Sequence, residues 1–153
     1  EDLNNCEKYQ TKSRQYSNDA DNIIPNKSVI FPKRGAAILL NKVRINVNDV
    51  LMDTNLMAIK PNNKIKVEFL YYLILREGLS KIADTSTIPQ INNKHIIPYI
   101  VTIPSQPEQQ KVVDCLSSLD DLITAQTQKL NALKAHKNGL LQKLFPYVDE
   151  VDG

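Results

Sequence analysis

Residues Ser105 to Pro146, reading SQPEQQKVVDCLSSLDDLITAQTQKLNALKAHKNGLLQKLFP, carry a heptad ruler with a marked start and stop. Alternating steps of four and three residues pass through Val112, Leu116, Leu119, Ile123, Gln126, Leu130, Leu133, Lys137, Leu140 and Leu144, and all but Gln126 and Lys137 are apolar. This is the seam of a coiled coil. Ser105 with Glu108 three residues on forms a capping box, and Pro107 sits where a missing N–H costs little. Pro146 cannot continue a helix. At about 1.5 Å per residue, the helix from Glu108 to Leu144 would be a rod of roughly 55 Å. Such a rod needs a second helix along its seam, from another copy of the chain or from a related segment. The bland reading packs the seam on the chain's own globular part, which a rod of this length overhangs. Gln126 and Lys137 would lower the stability of the pairing and fix its register. Gly139 is a weak point near the far end.

The rest of the chain must supply a compact body. Its 153 residues, 42 % hydrophobic and 24 % charged, suffice for one domain with an appendage. The first residue is Glu and no apolar leader follows, which predicts a fragment or processed piece of something longer. No run approaches the roughly 18 apolar residues of a membrane span. Cys6 and Cys115 are the only cysteines, without a CxxC, and fit a reducing, cytoplasmic setting.

The net charge of +2 is unevenly spread. Glu1 to Asn26 holds three Lys or Arg against five acids, Lys27 to Lys94 eleven against five, and His95 to Gly153 five against seven. A basic middle between acidic flanks is the footprint of a nucleic-acid-binding surface, although a solvated basic face has the same composition.

Residues 1–26 are polar and aperiodic, and predict an irregular lead-in. From Val29 onward, VIFPK, AAILL, VRINV, VLMDT and NLMAIKP alternate with turns at Gly35, Asn41 and Asn48-Asp49, which predicts short strands in sequential antiparallel pairing. Val67 to Glu77 predicts a buried helix ended by Gly78. Asp84 to Lys94 is a polar loop leading through Asn92 or Asn93 into a short helical turn, and Tyr99 to Ile103 predicts a last strand. The expected fold class is α+β: a small, mainly antiparallel sheet with packing helices, followed by one long coiled-coil helix. The expected domains are a lead-in at 1–26, a recognition domain at 27–104, the long helix at 105–146 and a tail at 147–153.

Enzymatic chemistry has little to stand on. His95 and His136 lack metal-ligand spacing and read as surface or cap residues. GxGxxG, GxxxxGK[ST] and GxSxG are missing, and Asp120-Asp121 falls on the solvated side of the helix.

Three segments of the tail now become specific: Ile103-Pro104 with Pro107-Glu108-Gln109-Gln110, the run Leu119 to Ile123, and Leu133-Lys134 through Leu140-Leu141-Gln142-Lys143-Leu144-Phe145-Pro146. In this order and spacing they resemble the conserved helix of the specificity subunit of type I restriction-modification enzymes. Upstream, AAILLNKVRINV, VLMDTNLMAIKP, FLYYLIL and DTSTIPQIN look like the distal part of a target-recognition domain. A full subunit of this family resembles two such units in tandem, its two long helices antiparallel as a spacer, and this chain is similar to about half of one. The resemblance implies a non-catalytic protein without a cofactor of its own. It implies binding to double-stranded DNA and partnership with methyltransferase and restriction subunits, which hold S-adenosylmethionine and ATP. A rod of roughly 55 Å corresponds to about sixteen base pairs at 3.4 Å each, so helix length would set half-site separation.

Candidate phosphate contacts are Lys33 and Arg34 beside Gly35, Lys42, Arg44 and Lys94, and solvated surface charge is the alternative for each. Gln90, Asn92 and Asn93 offer paired donors and acceptors to bases, and Arg34 and Arg44 can address guanine. Thr85, Ser86 and Thr87 could donate from the same loop, where a well-capped turn would use the same residue types. Tyr71 and Tyr72 read as core packing rather than base-stacking platforms. Helix pairing falls to Val112, Leu116, Leu119, Ile123, Leu130, Leu133, Leu140 and Leu144. The alternative function is a coiled-coil adaptor whose basic domain binds an acidic protein. A third possibility is a truncated remnant that dimerises but binds DNA poorly.

Overall fold

The computed structural model describes residues 8–13, 16, 22–84 and 87–145, which divide into two compact units, one up to Val113 and one from Asp114 onward. The first unit is α+β. Its strands are β1 (Tyr9–Gln10), β2 (Ile23–Ile24), β3 (Val29–Pro32), β4 (Arg44–Asn46), β5 (Val50–Leu51) and β6 (Leu56–Ile59). Its helices are α1 (Ala36–Leu39), α2 (Val67–Glu77), α3 (Leu79–Ile82) and α4 (Asn93–Ile96), and α5 (Gln106–Leu144) begins in it. The sheet order is β1-β4-β3-β6, with β3 antiparallel to both neighbours and β1 parallel to β4; β2 and β5 form a separate antiparallel ribbon.

β3 is buried along its whole length, as a central strand of apolar residues should be. Val29 and Phe31 join Ile45 of β4 and Val67, Leu70, Tyr71 and Ile74 of α2 in one core. The α2 residues recur at the three-and-four spacing of a single helix face. Glu68 in its first turn and Arg76 in its last suit the helix dipole. Gly78, at φ +80, ends the helix with its N–H on the Ile74 carbonyl at 2.9 Å.

Three sequence expectations are corrected. AAILL is not a strand: Gly35 at φ +77 reverses the chain, and Ala36–Leu39 wind one helical turn that buries Ile38 and leaves Leu39 and Leu40 exposed. Asn41, at φ +48, closes that turn, and its side chain donates to the Leu75 carbonyl and accepts from the Leu79 N–H, both at 3.0 Å. Tyr99 to Ile103 forms no ladder among the described residues. Its β-prone alternation meets no strand edge, and it is pinned instead by the Tyr99 hydroxyl, which donates to Glu77 Oε2 at 2.7 Å. The Arg76 hydrogen bond, followed by that of Tyr99, holds the Glu77 carboxyl below its ordinary range. The lead-in, finally, contributes β1 and β2, two-residue strands paired with β4 and β5. Cys6 and Pro146 lie outside the described residues, and Cys115 is a free, exposed thiol.

α5 starts as its capping box requires. The Ser105 hydroxyl and N–H both donate to Glu108 Oε2, at 2.6 and 2.9 Å, and hold that carboxyl below its usual range. A depressed carboxylate stabilises the fold above its unfolded value, about pH 4.3, and the contribution disappears as pH falls through the lower folded value. Glu108→Gln is therefore expected to flatten part of the acid sensitivity of the helix start. Circular-dichroism melts at neutral pH and near pH 3 should differ less in the variant; an unchanged difference would remove Glu108 from the account.

The next residue, Gln109, is 0 % exposed. Its Nε2 donates to the Lys64 and Pro104 carbonyls at 2.9 and 3.0 Å, and its Oε1 accepts from the Lys66 N–H at 2.9 Å. Val113, one turn later, completes the core. In the second unit, Leu119, Ile123, Leu130, Leu133, Leu140 and Leu144 of the seam are all exposed, as is Val112 of the first unit, while Leu116 is half-buried.

Candidate nucleic-acid interface

The candidate residues gather because two segments more than fifty positions apart zip together. Past the end of β3, the Lys33 N–H donates to the Asn55 carbonyl and the Lys33 carbonyl accepts from the Ile91 N–H, each at 2.9 Å. Arg34 bridges Gln90 in antiparallel fashion, and the Gly35 N–H donates to the Pro89 carbonyl at 3.0 Å. Ile91 is fully buried and anchors the loop. Asp84 fastens the other side: its N–H donates to the Gln90 carbonyl at 3.0 Å, and its Oδ1 accepts from the Gln90 N–H at 3.1 Å. Asp84 and Ile91 were not singled out in the sequence. A carboxylate six residues before a carboxamide in a polar loop is a faint signal, and a lone Ile a fainter one.

Register brings in the second basic pair. β4 runs antiparallel to β3 with Arg44 opposite Ile30, so the start of β4 and the end of β3 share one end of the sheet. Lys42 and Arg44 therefore stand at the end where Lys33 and Arg34 emerge. Arg44 is half-buried, and its Nη1 donates to the Val43 carbonyl at 2.7 Å, which orients the guanidinium. Lys33 and Lys42 are half-buried, and Arg34 and Thr87 are exposed. Asn92 is the N-cap of α4, its N–H donating to Nδ1 of His95 at 3.2 Å, which makes His95 a cap residue. Asn93 and Lys94 are exposed on the only turn of that helix. Thr85 and Ser86 lie outside the described residues. Tyr71 is buried in the core, and the Tyr72 ring, half-buried, carries the Lys8 ammonium 4.5 Å from its centroid.

Not all of the basic middle belongs to this end. Lys27 and Lys60 lie at the opposite end of the sheet, where Ile59 pairs with Val29 and the Lys60 ammonium donates to the Asn26 carbonyl. The arrangement at the first end can hold phosphate oxygens with cations and present carboxamide edges beside them. Among the described residues there is no group of three His, Cys, Asp or Glu that could hold a metal ion, and no helix long and apolar enough to cross a membrane.

Comparison with known proteins gives the family and the fold. The family model described as the type I restriction modification DNA specificity domain matches residues 1–135. The chain is 30 % identical over 143 residues to the type I restriction enzyme MjaIX specificity subunit of Methanocaldococcus jannaschii, covering 80 % of this chain and 33 % of that protein. It is 29 % identical over 131 residues to the type I restriction enzyme HindI specificity subunit of Haemophilus influenzae, covering 81 % and 28 %. The chain thus spans about a third of the length of these curated relatives. Its fold is shared with a chain of a solved structure concerned with complex assembly and conformational transition of the type I R-M system: TM-score 0.76 at 15 % identity, covering 93 % of this chain and 34 % of that one. With a family match over well more than half of its 153 residues, the chain belongs to the type I restriction-modification DNA specificity family.

Proposed function

We propose that this chain is a non-catalytic DNA-recognition element of a type I restriction-modification system, reading one half of a bipartite site in the cytoplasm. Residues 27–104 form its recognition domain. The long helix, 105–146, serves as spacer and assembly element, pairing with a second copy or a second conserved helix and engaging the methyltransferase and restriction subunits. The observation that carries this reading is the zipper of residues 33–35 with 89–91, which brings Arg34 and Gln90 together at the sheet end where Arg44 begins β4, two residues after Lys42. Lys33, Arg34, Lys42, Arg44 and Lys94 then address phosphates. Gln90, Asn92 and Asn93 address base edges, and the Thr85 to Thr87 hydroxyls assist.

Fluorescence anisotropy with random-sequence duplex DNA across a salt series tests it. Arg34→Ala and Arg44→Ala are each expected to weaken binding and to lower the salt slope by about one. Adding a type I methyltransferase subunit should sharpen the preference to one half-site. Unchanged affinity and slope in both variants would remove these arginines from the interface, and no duplex-dependent retention at all would favour a protein-binding adaptor.

A further inference from the structure

One turn of helix at the candidate interface presents apolar bulk where cations gather. We propose that Leu39 and Leu40 form a wedge that enters duplex DNA at a base step, lying against the unstacked base faces while the cations beside it hold the phosphates. The inference deepens the DNA-recognition reading above and rests on it.

The period of α1 explains why the leucines face outward. Ile38 is 0 % exposed and turned into the core, whereas Ala36, Leu39 and Leu40, three and four residues apart, share the exposed face. Leu39 and Leu40 are 63 % and 64 % exposed. Ile88, next to the Pro89 whose carbonyl takes the Gly35 N–H, is 60 % exposed in the loop zipped to the start of that turn. A single surface leucine is ordinary, but two in succession with an isoleucine nearby in the fold make a patch that a binding partner would cover.

The turn is held at both ends. Gly35 is tied to the Pro89 carbonyl at 3.0 Å, and the Asn41 side chain joins the Leu75 carbonyl and the Leu79 N–H. α1 also packs against α3 and β3. A knob fixed in this way has little conformational freedom left to lose when it inserts.

Charge identifies the occupant. From Phe31 to Val47 the chain holds Lys33, Arg34, Lys42 and Arg44 and no Asp or Glu. Arg34 precedes the turn and Lys42 follows the leucines by two residues, so cations bracket the apolar pair along the chain. Asp84, the carboxylate of the adjoining loop, is engaged by the Gln90 N–H at 3.1 Å. The matching ligand is anionic at its rim and apolar within. A duplex opened at one base step has that character, with phosphates outside and base faces inside. Leucine and isoleucine are among the side chains that enter such steps, and opening is easiest at pyrimidine–purine steps such as TA. The wedge would thus favour a TA step without a hydrogen bond to either base.

The test uses the full chain and a duplex carrying 2-aminopurine in place of the adenine of a central TA step, a base whose fluorescence rises on unstacking. Binding of the unaltered chain should raise that fluorescence. Leu39→Ala with Leu40→Ala should abolish the rise, weaken binding about tenfold and leave the salt slope unchanged, because no phosphate contact is lost. Leu39→Met with Leu40→Met should keep both signal and affinity. Both leucines are exposed and alanine is the better helix former, so the melting temperature should move by less than about 2 °C. If it moves further, Leu39→Gln with Leu40→Gln, set against the methionine pair, repeats the comparison at matched length. Binding without a fluorescence rise, full affinity in the alanine or glutamine pair, or a reduced salt slope in either would overturn the wedge and leave the recognition reading standing. Failure of the unaltered chain to bind any duplex would instead overturn the recognition reading, and the wedge with it.

Discussion

Gln109→Ala is expected to lower the melting temperature of the chain by roughly 10 °C, although the side chain is polar and lies on a helix. Three partly buried backbone groups depend on that one fully buried carboxamide: the Lys66 N–H and the Lys64 and Pro104 carbonyls. A buried group deprived of its partner costs about 1–3 kcal/mol, and water entering the space left by the amide recovers part of that, so a net loss of about 3 kcal/mol is reasonable. Lys66 is the N-cap of α2, and Pro104 precedes the capping serine of α5, so the same side chain fastens the start of one helix to the start of the other. Gln109→Glu is the discriminating control. It keeps an acceptor for Lys66 but turns a carboxylate toward two carbonyl oxygens, so it too should destabilise at neutral pH, where alanine and glutamate variants would both melt early. Thermal unfolding followed by circular dichroism measures this, and a shift under about 2 °C in Gln109→Ala would show that the three bonds carry no net weight.

That residue also marks where the sequence could and could not be read. The capping box and the heptad ruler were plain because they are local: Ser105 and Glu108 are one turn apart, and seam positions repeat every three and four residues. Val67 to Glu77 was plain for the same reason, eleven residues with one apolar face. Gln109 precedes the first apolar seam position, Val112, and by residue type looks like a solvated polar residue. Only the tertiary fold, which brings Lys64 and Lys66 to it from more than forty positions away, makes it core. The short elements failed in the same direction. Ala36–Leu39 has too few residues to display a period, so apolar composition suggested a strand where the positive φ of Gly35 dictates a turn of helix. Tyr9–Gln10 and Ile23–Ile24 have no strand signal of their own and exist because β4 and β5 offer edges. The candidate interface was half legible. Residue types announced which side chains could address DNA, whereas the meeting of Arg34 with Gln90 depends on a bridge that no local rule supplies. Charge counting, for its part, could not separate Lys27 and Lys60 from the cations at the other end of the sheet.

Asn46→Asp, a change of one amide to one carboxyl, is expected to destabilise the first unit by about 3 kcal/mol at neutral pH and by much less near pH 4. Asn46 is 0 % exposed at the end of β4. Its Oδ1 accepts from the Ser28 N–H at 2.7 Å, and its Nδ2 donates to the Asn48 and Pro25 carbonyls at 2.8 and 3.0 Å. The Ser28 hydroxyl adds a bond to the same Pro25 carbonyl at 2.7 Å, so the turn entering β3 and the turn leaving β4 close around one side chain. An aspartate there keeps the Ser28 contact but turns its second oxygen toward carbonyls, where only a protonated carboxyl can donate. Burial and those carbonyls both raise its folded pKa above the unfolded value of about 3.9. With the folded value raised, the variant binds more protons folded than unfolded, so its stability is retained below about pH 4 and declines as pH rises toward the folded value. The wild-type amide has no such slope. Urea titrations of both proteins at pH 4 and pH 7 therefore decide the point: the difference between them should widen by at least about 1 kcal/mol from the lower to the higher pH. Equal differences at the two pH values would mean that the position admits water and that the buried amide is not the tie between the two turns.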